Sequence, residues 1–167
     1  MNNKHNTKRL TGITNKRNNQ VENMMHKASR KVINIALKND ISVIVIGNNK
    51  DWKRESQLSK AVNQSFVGIP HKRLIEKIEY KANNVGIKVI LTEESYTSGT
   101  SFLDNEMPTK ENYNKARRIY RGLFKSNNGI KINADVNASY QILKKVFPKA
   151  YAEGICGVGL HPIRVAI

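Results

Sequence analysis

Cysteine is almost missing from this chain, with Cys156 the single example in 167 residues. That excludes an internal disulfide and any multi-cysteine metal site, and it makes Cys156 a small apolar residue rather than a nucleophile. Acid is scarce as well: 13 Asp and Glu stand against 29 Lys and Arg, a net charge of +16. Such an excess suits a polyanionic partner, because every phosphate neutralised by a Lys or Arg releases counterions. No apolar run approaches the roughly 20 residues of a bilayer span. No basic amphipathic helix with an aromatic face stands out either, so nucleic acid is favoured over lipid and no membrane partner is expected. The first residues, Met1 to Arg9, are polar and basic without the apolar centre of a secretory signal, which points to the cytoplasm. The 39% of hydrophobic residues suffices for one modest core.

What is present reads as alternating helices and short strands. Residues 1–19 have no apolar period and read as a loose, basic entry segment. Across residues 20–38, Val21, Met24, Met25, Ala28, Val32, Ile35 and Ala36 recur at helical spacing, with Lys27, Arg30, Lys31 and Lys38 on the polar side. Asn39 and Asp40 break that helix. The run Ile41-Ser42-Val43-Ile44-Val45-Ile46 then reads as a strand buried on both faces, ending at Gly47. A second helix over residues 70–84 starts at Pro70, buries Leu74, Ile78, Ala82 and Val85, exposes Lys72, Arg73, Lys77 and Lys81, and ends near Gly86. A second strand over residues 87–92 delivers Glu93 and Glu94 at its carboxyl end, where open α/β sheets gather ligands and catalytic groups. Both could equally be solvated turn residues; strand alternation would send them to opposite sides. Residues 117–132 read as a basic hairpin with Asn128-Gly129 as its turn. Its Arg117, Arg118, Arg121 and Lys125 interleave with Tyr120 and Phe124, which suits phosphate contact and base stacking or plain hairpin packing. Asp135 opens a last helix, carrying Val136, Tyr140, Leu143 and Phe147 on one face before Pro148. An N-cap is the simplest role for that Asp. Residues 151–167 read as a loop-like tail.

Several blocks, in order, carry a resemblance. His26-Lys27-Ala28-Ser29-Arg30, the segment Gly47-Asn48-Asn49-Lys50-Asp51-Trp52-Lys53, Thr92-Glu93-Glu94-Ser95-Tyr96-Thr97-Ser98 and Asn133-Ala134-Asp135-Val136-Asn137-Ala138-Ser139-Tyr140 together resemble the TnpB family of transposon-encoded proteins. These OrfB transposases are relatives of the type V CRISPR nucleases. The resemblance covers nearly all of the chain from about Asn15 and corresponds to the C-terminal third or so of a full-length member. It implies an α/β protein with a partial RNase H-like (RuvC) fold over residues 20–150 and an inserted basic hairpin within about 95–132. It also implies DNA as partner, a guide RNA as a further one, and a prokaryotic or phage-encoded mobile element as the source.

In the family a RuvC-type site takes three carboxylates from three places to hold Mg²⁺ ions. The resemblance makes Asp135 the third. The second is a Glu at the end of the first strand in most members; here Gly47 stands there, and Asp51, which reads as a turn residue, is the nearest acid. A sub-branch lacking that Glu carries the Thr-Glu-Glu-Ser-Tyr-Thr-Ser block, so Glu94, or else Glu93, is implied as the relocated acid. The first Asp belongs to a segment upstream of the His-Lys helix that does not occur here. His26, Lys27 and Arg30 are implied to lie beside nucleic acid, though a helical His next to Lys is commonly just solvated. The family's structural zinc would need cysteines in stretches corresponding to residues 98–102 and 125–129, and none is there, so no zinc is expected. The first expectation is a truncated TnpB-like nucleic-acid binder that does not cleave alone. The alternatives are a nuclease-dead regulator and one half of a split Mg²⁺-dependent nuclease whose partner chain supplies the missing strand and Asp.

Overall fold

The computed structural model describes residues 7–49, 70–149 and 160–166. Asp51, Trp52, Lys53, Cys156 and most of the tail lie outside the described residues. The chain divides into two compact units: the first holds described residues 7–42 and 70–88, the second 43–49, 89–149 and 160–166.

The first unit is a pair of helices, α1 (Lys8–Lys38) and α2 (His71–Asn83), packed on each other. The segment expected to be loose is helical from Lys8. The Thr7 side chain caps it by accepting the Leu10 N–H at 3.3 Å. No proline interrupts the chain between that cap and Asn39, so an exposed helical half continues the packed one. The buried stripe of α1 is Met25, Ser29, Ile33 and Ala36. Met24, Val32 and Ile35, expected on the apolar face, are exposed. One helix covers only a narrow stripe of another, and α2 meets the Met25–Ala36 line. On α2, Ile78 and Ala82 are buried as expected, Val85 is exposed, and Lys81, expected in solvent, is only 5% exposed. Pro70 is the N-cap of α2, and the chain leaves it through a turn in which Gly86 has φ +76°.

The second unit holds two small sheets and the last helix. β1 (Val43–Gly47) and β2 (Lys88–Thr92), the latter beginning on the last residue of the first unit, form a two-stranded sheet. At one end the Lys88 N–H donates to the Ser42 carbonyl, and at the other the Asn48 N–H donates to Thr92. Residue numbers rise together along both strands, so the pair is parallel. All of β1 is half-buried rather than enclosed on both faces. Among the described residues it pairs only with β2, so its other edge carries no strand.

The basic segment is a three-stranded antiparallel ribbon rather than one hairpin: β3 (Arg118–Tyr120), β4 (Leu123–Lys125) and β5 (Lys131–Asn133). A 3₁₀ turn over Lys115–Arg117 leads into it. Leu123, Phe124 and Lys125 face Asn133, Ile132 and Lys131 across β4 and β5. Gly129 turns that pair with φ +81°, a conformation open to glycine without strain. Asn133 then runs directly into α3 (Ala134–Val146). The core gathers Phe124, Ile132 and Ala134 with Leu103, Val136, Tyr140 and Leu160. Phe102 stacks on Tyr140 with ring centroids 4.6 Å apart.

Candidate nucleic-acid interface and carboxylate site

The start of α3 is fixed by Asn133, whose side chain accepts from the N–H groups of Asp135 and Val136 at 2.9 and 3.1 Å. Asn133 is therefore the N-cap, and Asp135 is the second residue of the first turn, with its side chain exposed. A cap consumes its oxygen on backbone donors; relieved of that task, the Asp135 carboxylate faces solvent at the positive end of the helix dipole.

Glu93 and Glu94 follow the last residue of β2. The Glu93 side chain is 71% exposed and stands 3.9 Å from Lys145, whose ammonium also donates to the Ser95 hydroxyl. Glu94 is half-buried. A Cβ placed on Gly47 would lie 2.6 Å from both Cγ and Oε1 of Glu94 and 2.8 Å from Cδ1 of Ile142. The Glu94 side chain thus fills the space beside the end of β1 that a side chain at position 47 would take. The Thr97 N–H and hydroxyl both donate to the Glu94 carbonyl, which anchors the turn behind it. Among the described residues, no three His, Cys, Asp or Glu side chains gather as metal ligands.

The ribbon combines a packed pair with exposed cations. Phe124 and Ile132 are fully buried, while Arg118, Arg121, Lys125 and Lys131 are exposed. Tyr120 is 64% exposed and Ile119 50%. Of the ribbon's two aromatics, Phe124 is a packing residue and Tyr120 stands in solvent. Arg117, read as a phosphate contact, is instead held by both guanidinium branches on Glu106 at 2.5 and 2.8 Å. The ion pair is 15–16% exposed on either side, so its charge is already matched. Burial alone would raise the Glu106 pKa, but the Arg117 and Ser101 hydrogen bonds outweigh it and hold the carboxyl below its usual range.

In the first unit His26 lies 3.3 Å from the Lys77 ammonium and 3.5 Å from Glu22, which Lys77 also contacts. That hydrogen bond from Lys77 holds the Glu22 carboxyl below its usual range. Lys27 and Arg30 are exposed. Lys81 donates to the Ser29 hydroxyl at 2.6 Å and to the His26 carbonyl at 2.7 Å. Burial, aided by Arg30 and Lys77, lowers its pKa. Sequence reasoning missed Lys81, Glu106 and the spatial role of Gly47. The one signal was Ser29, a polar residue at helical spacing between Met25 and Ile33.

No helix among the described residues is long and apolar enough to cross a membrane. The chain is thus a basic, mixed α/β protein with carboxylates at a strand end and a helix start and a cationic ribbon in solvent. Residues 71–142 match the family model described as Cas12f1-like, TNB domain. A cryo-EM structure of the Cas12f1–sgRNA–target DNA complex contains a chain similar to this one, with a TM-score of 0.63 and 22% identity. The match covers 81% of this chain and 36% of that one, so this chain spans little more than a third of its structural relative. No curated protein matches. With the ordered motif blocks, the two matches support a TnpB-like relative.

Proposed function

We propose that this chain is a nucleic-acid-binding protein of the TnpB and Cas12f1 kind, descended from an RNA-guided RuvC-type DNA endonuclease and not cleaving alone. The observation that carries the reading is the ribbon: Tyr120, Lys125 and Lys131 are exposed on its strands, with exposed Arg118 at its entry and exposed Arg121 in the turn between β3 and β4, while Phe124 and Ile132 are buried. Cations beside an exposed ring suit a phosphate backbone with stacked bases. The structural relative was solved with sgRNA and target DNA, which supports a guide RNA and a DNA strand as partners here. Lys27 and Arg30 on α1 are further exposed cations suited to phosphate.

Asp135 and Glu94 are the acids a metal would use. Both present hard oxygen donors of the kind Mg²⁺ takes, whereas the stretches 98–102 and 125–129 offer zinc neither Cys nor His. Bound Mg²⁺ would activate water and stabilise the leaving oxygen of a phosphodiester. Glu94 is the better second acid than Glu93, because it fills the place at Gly47 where the family pattern carries its Glu. The first Asp of that pattern has no counterpart in these 167 residues. Residues 20–150 accordingly form part of an RNase H-like domain.

The test is a labelled-strand assay on single- and double-stranded DNA with and without Mg²⁺. Salt-sensitive binding without cleavage is the expected outcome. Cleavage that Asp135→Ala abolishes would contradict the incomplete site. The edge of β1 that pairs with no strand among the described residues favours a second reading, in which another polypeptide lays the missing strand there and supplies the first Asp. Cleavage appearing only when an N-terminal TnpB-like fragment is added would establish it.

A further inference from the structure

The Glu106 carboxylate draws donors from three separate segments. Ser101 of the preceding loop gives its N–H at 2.9 Å, and Arg117, entering β3, gives both guanidinium branches. Asn127, in the turn between β4 and β5, gives its amide at 3.4 Å. The Asn127 N–H also donates to Asp104 at 2.8 Å, and the Asp104 N–H donates to the Ser101 hydroxyl. From α3, Gln141 holds the Glu106 carbonyl and Lys144 holds the Asn105 carbonyl and side chain. The loop over residues 101–106 is thereby fastened to the 126–129 turn and to the entrance of the ribbon.

We propose that this cluster is a metal-free clasp, in which one carboxylate ringed by donors joins the two loops that a four-ligand zinc would otherwise join. The stretches involved carry no Cys or His, so a tetrahedral zinc has no ligands there. The polarity is inverted: a central anion collects N–H groups, where a central cation would collect thiolates. A fork-to-fork Arg–carboxylate pair is suited to the task, since it adds geometric specificity to charge. Its low exposure protects it from the screening that weakens surface pairs. Arg117 is in this account a positioning residue, setting the angle at which Arg118 and Tyr120 leave the 3₁₀ turn. The inference is independent of the proposed nucleic-acid binding.

The test uses the full chain, with metal analysis and thermal unfolding in the presence and absence of EDTA. The expected result is no stoichiometric zinc, a melting midpoint unmoved by EDTA, and a midpoint lowered by about 3–8 °C in Glu106→Gln. Arg117→Lys, which keeps charge but loses the fork, should lower it as well. Should either variant fail to fold, hydrogen exchange on the unmodified chain decides: the Ser101 and Asn127 amides should be protected. Zinc bound at one per chain with an EDTA-sensitive midpoint would overturn the proposal. Unchanged midpoints in both variants, or Ser101 and Asn127 amides exchanging at free-loop rates, would overturn it too.

Discussion

At the scale of single residues, position 47 and position 94 form one arrangement. A glycine at the end of β1 leaves a vacant volume, and the Glu94 side chain occupies it from the turn after β2. Gly47→Ala should therefore cost about 1–3 kcal/mol by overpacking, and much less in a Glu94→Ala background. Chemical denaturation of the four proteins in that cycle measures the coupling. Glu106 gives a second prediction. Its folded pKa lies below the ordinary 4.5, so its contribution to stability is complete above that value and is lost as pH falls through the folded pKa. The melting midpoint should drop as pH falls below about 4.5, and Glu106→Gln should lack that part of the drop. The sequence made the absence of an acid at 47 and the pair at 93 and 94 legible. It could not decide between the pair, because that depends on which side chain turns back over β1 once the strand has ended.

At the scale of elements, α3 departs most from its pattern. Helical spacing picked out Val136, Tyr140, Leu143 and Phe147, and the first two do pack on the ribbon. Phe147 is 40% exposed, while the fully enclosed stripe is Asn137, Gln141 and Lys144. Hydrophobic periodicity cannot reveal such a stripe, because polar side chains are buried here to serve a loop backbone lying across the helix. Asn137 donates to the Thr100 carbonyl at 2.8 Å and accepts from the Phe102 N–H at 3.0 Å. Asn137→Ala should leave both groups buried and unpaired at about 1–3 kcal/mol apiece. Asn133→Ala removes only a cap and should cost about 1 kcal/mol. Thermal melts of the two variants would show the order. The packed part of α1, the other two helices and both strands of the first sheet were legible because they are periodic or continuous in apolar residues, whereas the first turns of α1 from Lys8, which have no apolar period, were read as a loose segment. The ribbon's third strand, β3, was not, since it is three residues long with every side chain exposed.

At the scale of the whole molecule, the net charge of +16 is the fact that every other reading must accommodate. A few of these cations are neutralised internally, Arg117 by Glu106 and Lys77 by Glu22. The cations of the ribbon, by contrast, stand in solvent. The same residue type thus stands in two settings, and composition alone could not separate them, because only burial shows which arginine is paired and which is left in solvent.

The most direct test of nucleic-acid binding is a salt titration, following a fluorescent single-stranded DNA or RNA by anisotropy with the unmodified chain and with Arg121→Ala/Lys125→Ala. The account predicts that log K falls linearly with log salt, and that the slope shrinks by about 1.4 units in the double variant, roughly 0.7 for each phosphate of a single strand left without its cation. Absence of binding at low salt, or an identical slope in both proteins, would contradict it.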